Sequence, residues 1–178
     1  MLLGRLWRPR IGSLDDTSLK MRVWPTDLDM FLHMNNSRYL AIMDVGRMDA
    51  LLRSGVFQRI RGLNWYGVVA SETIRFRESL APFAAFELRT RILGWDDRSL
   101  YYRQTFLRQG RVAAVGIVRI RFLRRGGGGT LGMDEVAAAL APGLARPRLP
   151  EYVRAWQAAE DAFSRDDALD GSARVRGA

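Results

Sequence analysis

Five residues that can take part in acid–base chemistry or hydrogen bonding lie close together near the start of the chain: Asp27, Asp29, His33, Asn35 and Asn36. A carboxylate can attack a carbonyl carbon or activate a water molecule, and an imidazole can move a proton near neutral pH. The chain has no cysteine and only one histidine, so cysteine nucleophiles, disulfides and ordinary zinc sites are excluded. The expected chemistry therefore uses neither a metal ion nor a cofactor.

The two adjacent amides come just before an apolar run, Tyr39 to Met43, that has the character of a helix. One of them is a natural N-cap, because its side chain can accept a hydrogen bond from an unpaired helix N–H group. The free N–H groups and the helix dipole at such an end can polarise a carbonyl. Spacing alone leaves two interpretations open. The stretch is either an active site or a structural loop with two capping carboxylates, a core histidine and a helix cap.

Residues 27–39 read DLDMFLHMNNSRY, which resembles the hotdog-fold thioesterases of the 4-hydroxybenzoyl-CoA thioesterase type. Members of that family often carry the pattern Asp-x-Asp-x-x-Gly-His-x-Asn-Asn-x-x-Tyr between the first strand and the central helix. The resemblance implies that Asp29 is the catalytic carboxylate, acting as nucleophile or general base. It implies further that a backbone N–H at or beside Asn36 polarises the thioester carbonyl. In this interpretation His33 positions the loop and Asp27 is structural.

The chain departs from the family pattern at two positions. Leu32 replaces the usual glycine, and Phe31 stands where the plant acyl-carrier-protein thioesterases have the asparagine of their Asn/His mechanism. A wider match, which adds residues 94–98 and the LHMNN of residues 32–36, resembles the group around animal thioesterase superfamily member six. Membership of that group does not itself imply hydrolysis. A protein that binds acyl-CoA without turnover therefore stays open as the first alternative, and a hotdog dehydratase as the second.

The resemblance also implies a homo-oligomer, either a dimer or a tetramer, with an active site shared between chains. Asp29 and the helix start of one chain are expected to face the early part of the strand at 68–77 in the other. The expected substrate is the thioester of coenzyme A or of acyl-carrier protein, and its acyl group cannot be read from the sequence. The candidate substrate-binding residues are Phe31, Asn35, Tyr39, Val69, Ala70 and Ser71.

The pattern of apolar residues predicts the elements that hold this stretch. Residues 19–24 alternate as in a half-buried strand, and residues 37–53 have the length and apolar character of a buried helix. Four strand-like runs follow, separated by turn signals at 81–82, 94–97 and 109–110. The order β-α-β-β-β-β predicts an α+β protein with an antiparallel sheet wrapped around a long central helix. This is the hotdog fold that the resemblance implies.

The chain is expected to form one hotdog domain with additions at both ends. A basic arm is predicted at 1–17, the hotdog domain at 18–124, a glycine-rich linker at 125–132, a C-terminal extension of helices at 133–165 and a disordered tail at 166–178.

The formal net charge is +9, and Lys20 is the single lysine, so arginine supplies nearly all of the positive charge. No nucleic-acid-binding motif accompanies it, and no nucleic-acid partner is expected. Solvated arginines and attraction of the coenzyme A phosphates both remain as explanations. No apolar run reaches the roughly 20 residues that span a bilayer. The first residues also lack the features of a signal peptide. The expectation is a cytoplasmic protein without membrane contact.

Overall fold

The computed structural model describes residues 9–127 and 129–175, with side chains in the last helix described as far as residue 166. It contains five strands and four helices in the described part of the chain, together with a single 3₁₀ turn at Pro25–Asp27. In chain order these are β1 (Thr17–Arg22), α1 (Asn36–Arg53), α2 (Val56–Gly62), β2 (Trp65–Phe76), β3 (Ala85–Trp95), β4 (Leu100–Arg108), β5 (Arg111–Arg124), α3 (Met133–Leu140) and α4 (Glu151–Val175).

The strands form one antiparallel sheet in the order β1-β3-β4-β5-β2. Adjacent strands β3, β4 and β5 are joined by short turns, whereas β1 and β2 lie at the two edges. The chain between the edge strands is occupied by the candidate loop, α1 and α2. Both the end of β1 and the start of α1 therefore deliver the chain to the loop that contains Asp29.

Helix α1 packs against one face of this sheet and supplies Tyr39, Ile42 and Met43 to the core. Two glycines permit the close approach. A Cβ atom on Gly46 would lie 2.6 Å from Leu88 Cδ2, and one on Gly116 of β5 would lie 2.5 Å from Met43 Cε. Such contacts outweigh the roughly 1 kcal/mol that a glycine costs within a helix. The predicted hotdog fold, a sheet around a long buried helix, is confirmed.

Strand β3 shows why apolar and charged residues alternate in the strand sequences. Phe86, Leu88 and Thr90 are buried against the helix side, while Arg89 and Arg91, which alternate with them, are exposed. The exposed arginines form surface ion pairs, for example Arg91 with Asp16 at 2.8 Å. One face of the sheet is therefore apolar, and the other carries arginine, as the alternation predicted.

Helix α2 is an element that the sequence analysis treated as a connection. Its seven residues follow Gly55, which adopts a left-handed φ of 73°, and bury Val56 and Ile60 one turn apart. Two apolar residues in a helix this short give little periodic signal in the sequence. A helix of this length depends on packing for its stability. Its two buried side chains join the same core as α1.

The glycine-rich segment at 125–132 folds back onto β5, whereas a flexible linker was predicted. Thr130 forms a β-bridge with Leu123, and Leu131 donates its N–H to Phe122 O at 2.8 Å. Gly126 and Gly127 adopt left-handed φ values of 83° and 94°, which glycine tolerates without a steric penalty. The glycines thus make a reversal that returns Leu131 to the core.

The described chain divides into two compact units, which meet in sequence between Pro147 and Arg148. Helix α3 is part of the first unit and buries Met133, Val136 and Leu140 in its core. Helix α4 belongs to the second unit. The basic arm is described from residue 9, and its earlier part, residues 1–8, lies outside the described residues.

A disordered tail was predicted at 166–178, and α4 continues through this segment to Val175. Alanine and arginine recur in this segment and are strong helix formers, so the helix can propagate through it. Residues 176–178 lie outside the described part of the chain. None of the helices within the described residues has the length and apolar character that crossing a bilayer requires.

Candidate active site

The loop between β1 and α1 is closed by backbone hydrogen bonds like a small hairpin. Asp29 donates its N–H to His33 O at 2.9 Å, and Leu28 and Met34 form a β-bridge. Asn35 donates its N–H to Asp27 O at 2.8 Å. Met34, which is buried, also donates its N–H to Leu80 O. The loop is therefore fixed both to itself and to the segment before β3.

The carboxylate of Asp29 is half-buried and points one oxygen into this loop. Its Oδ1 accepts the backbone N–H of Phe31 at 2.8 Å and of His33 at 3.2 Å. Its Oδ2 has no hydrogen-bond partner among the described residues. One oxygen thus fixes the orientation of the group, while the other is left to receive a proton or to attack a carbon atom.

Leu32 occupies the tip of the loop in a left-handed conformation, with a φ of 58°. This is the position at which the resembled family usually has glycine. An L-residue with a Cβ atom is strained in this conformation by about 1–2 kcal/mol. The leucine therefore reproduces the backbone shape that glycine would adopt freely. The substitution costs strain and leaves the loop hydrogen bonds in place.

Asp27, two residues before Asp29, is buried, and both of its oxygens have partners. Oδ1 accepts Arg38 Nε at 2.8 Å, and the same guanidinium forms an ion pair with it. Oδ2 accepts the backbone N–H of Trp24 at 2.9 Å. The side chain ties the end of β1 to the first turn of α1, which is a structural task.

The start of α1 has the predicted arrangement, with Asn35 as its N-cap. Asn35 Oδ1 accepts the N–H of Ser37 at 2.9 Å, and Asn35 O accepts the N–H of Arg38 at 2.9 Å. The N–H of Asn36, the first residue of the helix, has no acceptor among the described residues. Because the helix dipole also places positive charge here, this exposed N–H can stabilise an oxyanion.

The side chains of His33 and Phe31 are both exposed. His33 holds Asp29 through its backbone N–H and carbonyl oxygen, and its imidazole makes no hydrogen bond to any described residue. Phe31 is 73% exposed at the loop tip, between Met30 and Leu32, which are also exposed. The loop thus presents an apolar surface directly beside the Asp29 carboxylate.

Tyr39 is a core residue, with 2% of its surface exposed. Its ring packs edge-on against Phe76 and Phe106, with centroid separations of 5.0 Å and 4.9 Å. Burial raises the pKa of the Tyr39 hydroxyl, and a backbone hydrogen bond with Leu80 partly offsets the shift. The tyrosine therefore fixes the first turn of α1 on the sheet and stays neutral.

Val69, Ala70 and Ser71 lie on edge strand β2, away from the Asp29 loop in sequence. Val69 pairs with Ile120 and Ser71 with Arg119, so Ala70 is the extra residue of a β-bulge. Ser71 Oγ is buried and has no hydrogen-bond partner among the described residues. The single chain therefore brings together Asp27, Asp29, His33, Asn35 and Asn36. No hydrogen bond between described residues links the bulge to them.

Sequence reasoning missed Arg38, the ion-pair partner of Asp27. A signal for it existed, since a basic residue in the first turn of a helix opposes the helix dipole and is favoured only by a nearby carboxylate. No sequence signal marked Leu80, because it anchors the loop through its backbone carbonyl, which accepts the N–H of Met34.

Residues 23–157 match the model of a family described as the thioesterase-like superfamily. Among curated proteins, Protein THEM6 from Xenopus laevis is 48% identical over 85 residues, which cover 48% of this chain. The chain spans only 41% of the length of that relative. The resemblance to the member-six group is thereby confirmed.

Solved structures give the same fold. YbaW from Escherichia coli, a probable thioesterase, has a TM-score of 0.66 and 20% identity, covering 70% of this chain and 96% of its own. A DHNA-CoA thioesterase from Staphylococcus aureus has a TM-score of 0.61 and 12% identity, covering 88% of this chain and 94% of its own. The sheet, the central helix and the family match together show that the chain belongs to the thioesterase-like superfamily.

Proposed function

We propose that the chain hydrolyses an acyl thioester, of coenzyme A or of acyl-carrier protein, to a free acid and a thiol. The observation that carries this proposal is that one hydrogen-bonded segment contains both an acceptor and a donor without a hydrogen-bond partner among the described residues. Asp29 Oδ2 lacks a hydrogen-bond partner among the described residues, and so does the N–H of Asn36. A carboxylate that can act as base or nucleophile and an N–H that can stabilise the oxyanion together suffice to catalyse thioester hydrolysis.

The reaction needs no other group from this segment. A water molecule adds to the thioester carbonyl carbon and gives a proton to Asp29, while the Asn36 N–H stabilises the carbonyl oxygen as it becomes negative. The C–S bond then breaks, and the proton passes to the departing thiolate. In the alternative route, Asp29 attacks the carbonyl carbon to form a mixed anhydride, which water cleaves. Both routes release the same products and use the same two groups.

Support for a coenzyme A or acyl-carrier-protein substrate comes from charge and from the family. Both carriers are acidic, and the net charge of this chain is +9. The family match and the related structures titled as thioesterases favour acyl transfer to water over other reactions.

The direct test is a panel of acyl-CoAs that differ in chain length and aromaticity, with the released thiol measured by a colorimetric reagent. The chain contains no cysteine, so the protein itself contributes no background. Release of thiol from at least one member is expected. If acyl-CoAs bind but none releases thiol, the function is acyl binding without turnover.

The proposed active site is completed by a second copy of the chain, through edge strand β2. Val68 and Val69 on this strand are exposed, and its outer edge has no partner strand in the described chain. An unpaired edge is a natural site for pairing with another sheet. In the proposed dimer, Val69, Ala70 and Ser71 of one chain face the Asp29 loop of the other, beside the exposed Phe31.

Light scattering at micromolar concentration tests the dimer, since the chain mass is 20.2 kDa and at least twice that mass is expected. In Val69→Asp, a two-fold interface would bring like charges together. Mass and turnover should therefore fall together. A parent protein that is monomeric and still fully active would contradict the shared site.

A further inference from the structure

Four large apolar side chains are exposed at one end of the sheet: Trp24, Met30, Leu32 and Phe83. Trp24 follows the end of β1, Met30 and Leu32 lie at the tip of the Asp29 loop, and Phe83 precedes β3. Met30 is 87% exposed, and the other three are between 54% and 65% exposed. We name these four residues the apolar patch. A group of large apolar side chains at a protein surface commonly marks a site of contact with a partner.

Backbone hydrogen bonds connect the two loops that carry the patch. Phe83 donates its N–H to Val23 O at 3.0 Å, which brings it beside Trp24. Met34, at the end of the other loop, donates its N–H to Leu80 O at 2.9 Å. The two loops are therefore fixed to each other at this end of the sheet.

Two of the four patch residues have backbone conformations that cost stability. Leu32 has a φ of 58° and Phe83 a φ of 60°, and both values lie in the left-handed region that favours glycine. Because both side chains are exposed, they gain little from burial within the chain in return. Strained residues are concentrated at functional sites. A contact outside the chain would explain why apolar residues occupy these two positions.

Unpaired positive charge lies at the same end of the sheet. Arg22, the last residue of β1, donates a hydrogen bond to the backbone oxygen of Phe83 at 2.7 Å and has no ion pair with any described carboxylate. The strand register places Arg77, which follows β2, at this end too. Arg77 is exposed and makes no ion pair in the described part of the chain. Two carboxylates at this end, Asp27 and Glu78, are paired with other arginines.

We propose that the apolar patch docks on the surface of an anionic phospholipid membrane. Its side chains enter the headgroup region, and Arg22 and Arg77 bind lipid phosphates. Exposed apolar side chains beside cations are the features with which proteins bind such surfaces, and tryptophan favours the membrane–water interface. The sequence predicted no membrane contact because it has no apolar run that spans a bilayer, but docking on the surface needs no such run.

The sheet order argues against a second copy of the chain as the occupant. Trp24 and Phe83 adjoin β1 and β3, at the sheet edge opposite β2, through which the proposed dimer forms. A copy would also bring a net charge of +9 toward Arg22 and Arg77. An anionic bilayer satisfies both the cations and the apolar side chains. Phe31 remains with the proposed active site and is not part of the patch.

Sedimentation of the full chain with vesicles of mixed phosphatidylcholine and phosphatidylglycerol tests the docking. The parent should bind these vesicles and should bind vesicles of phosphatidylcholine alone at least about ten-fold less tightly. Arg22→Gln, Arg77→Gln should weaken binding to the mixed vesicles about 20-fold, because each cation near an anionic surface contributes roughly five-fold. Arg61→Gln, Arg98→Gln removes the same charge at exposed positions away from this end and should change binding by less than about two-fold, since salt screens distant charges.

A fluorescent label can locate the contact, because the chain has no cysteine and a single one can be introduced. Met30→Cys, labelled with nitrobenzoxadiazole, should gain emission on the mixed vesicles as the label enters an apolar environment. Phe163→Cys with the same label is the matched control, since Phe163 of α4 is 70% exposed and lies outside the patch. Its emission should stay unchanged.

The apolar part of the contact is tested by Trp24→Ser, Phe83→Ser, with circular dichroism to show that the variant is folded. Its binding to the mixed vesicles should weaken at least about ten-fold, because apolar burial contributes directly to surface binding. A folded variant that binds as tightly as the parent would overturn the proposal.

The proposal is also overturned if the parent does not bind the mixed vesicles, or if the two pairs of arginine substitutions have equal effects. A label that responds at Phe163 and not at Met30 would overturn it as well. Docking goes beyond the proposed hydrolysis, and the two fail separately. A chain that hydrolyses acyl-CoA in solution but does not bind vesicles contradicts only the docking. A chain that binds vesicles and hydrolyses nothing contradicts only the hydrolysis.

Discussion

Asp27 and Asp29 are two residues apart in the same loop, and their carboxylates differ in burial and in hydrogen bonding. Asp27 is buried and has both oxygens committed, one to Arg38 and one to the backbone of Trp24. Asp29 is half-buried and has one oxygen committed to two backbone N–H groups. Its other oxygen has no partner among the described residues.

This difference separates a structural carboxylate from one that is equipped to react. A buried carboxylate whose hydrogen bonds are all satisfied would have to break them before it could bind a proton or attack a carbon atom. A carboxylate that is oriented through one oxygen and open at the other reacts without that cost. Substitutions at the two positions should therefore affect different measurable quantities.

Asp29→Asn should have the largest effect. The amide keeps an oxygen for the N–H groups of Phe31 and His33 but cannot act as a base or nucleophile. Turnover of the best acyl-CoA should fall by roughly 10²- to 10⁴-fold, the usual contribution of a positioned acid or base. Steady-state assays of released thiol measure the loss, and urea unfolding should show a change in stability below about 1 kcal/mol. Unchanged turnover would remove Asp29 from the mechanism.

Asn36→Pro should have the next largest effect, because it removes the backbone N–H that is proposed to stabilise the oxyanion. Proline is well tolerated at the first position of a helix. The preceding residue, Asn35, already has the extended conformation that proline requires before it, with φ of −60° and ψ of 140°. The helix should therefore form normally. Turnover should fall by about 10²- to 10³-fold, as for the loss of one oxyanion donor.

Asn36→Ala is the matched control for this substitution, since it removes the same side chain and keeps the N–H. Its turnover should stay within about three-fold of the parent, because the expected donor is the backbone. If the alanine and proline variants lose turnover equally, the side chain of Asn36 is the functional group. If neither loses turnover, the oxyanion donor lies elsewhere.

Asp27→Asn should act on stability and leave turnover nearly unchanged. The substitution weakens the ion pair with Arg38, whose side chain is 44% exposed and can be rehydrated. The expected loss is therefore about 1–2 kcal/mol, less than for a fully buried pair. Urea unfolding of the parent and variant at equal protein concentration measures it. A loss of turnover as large as that of Asp29→Asn, in a protein that remains folded, would remove the distinction between the two carboxylates.

Much of this arrangement could be predicted from the sequence, because its causes are local. Asn35 caps α1 since a short amide before a helical run can reach the N–H two residues on, and Asp29 binds N–H groups only two and four residues away. The antiparallel sheet and the buried central helix were predicted from the alternation of apolar residues. Both predictions rest on a single requirement, which is that the apolar faces of the strands and of the helix be covered.

What the sequence could not reveal depends on distant parts of the chain. The Met34 anchor is the carbonyl of Leu80, which no side-chain pattern marks. The groove between α1, α2 and β2 exists because a seven-residue helix of weak periodic signal lies between α1 and β2. Likewise, the glycine-rich sequence indicated freedom, whereas Gly126 and Gly127 adopt left-handed turn conformations and Leu131 is buried. Packing over long sequence distances decided each of these features.

Leu32→Gly should have the smallest effect and should stabilise the loop that holds Asp29. Leu32 adopts a φ of 58° and is 65% exposed, so its side chain contributes little burial in return for the strain. Relief of about 1–2 kcal/mol of strain exceeds the roughly 0.5–1 kcal/mol of extra chain entropy that glycine brings to the unfolded state. A gain of about 0.5–1 kcal/mol is expected in urea unfolding. Leu32→Ala provides the comparison, because it removes the same apolar surface and keeps the strained Cβ atom. If alanine stabilises the protein as much as glycine does, the effect comes from the lost apolar surface, and Leu32 does not strain the loop that orients Asp29.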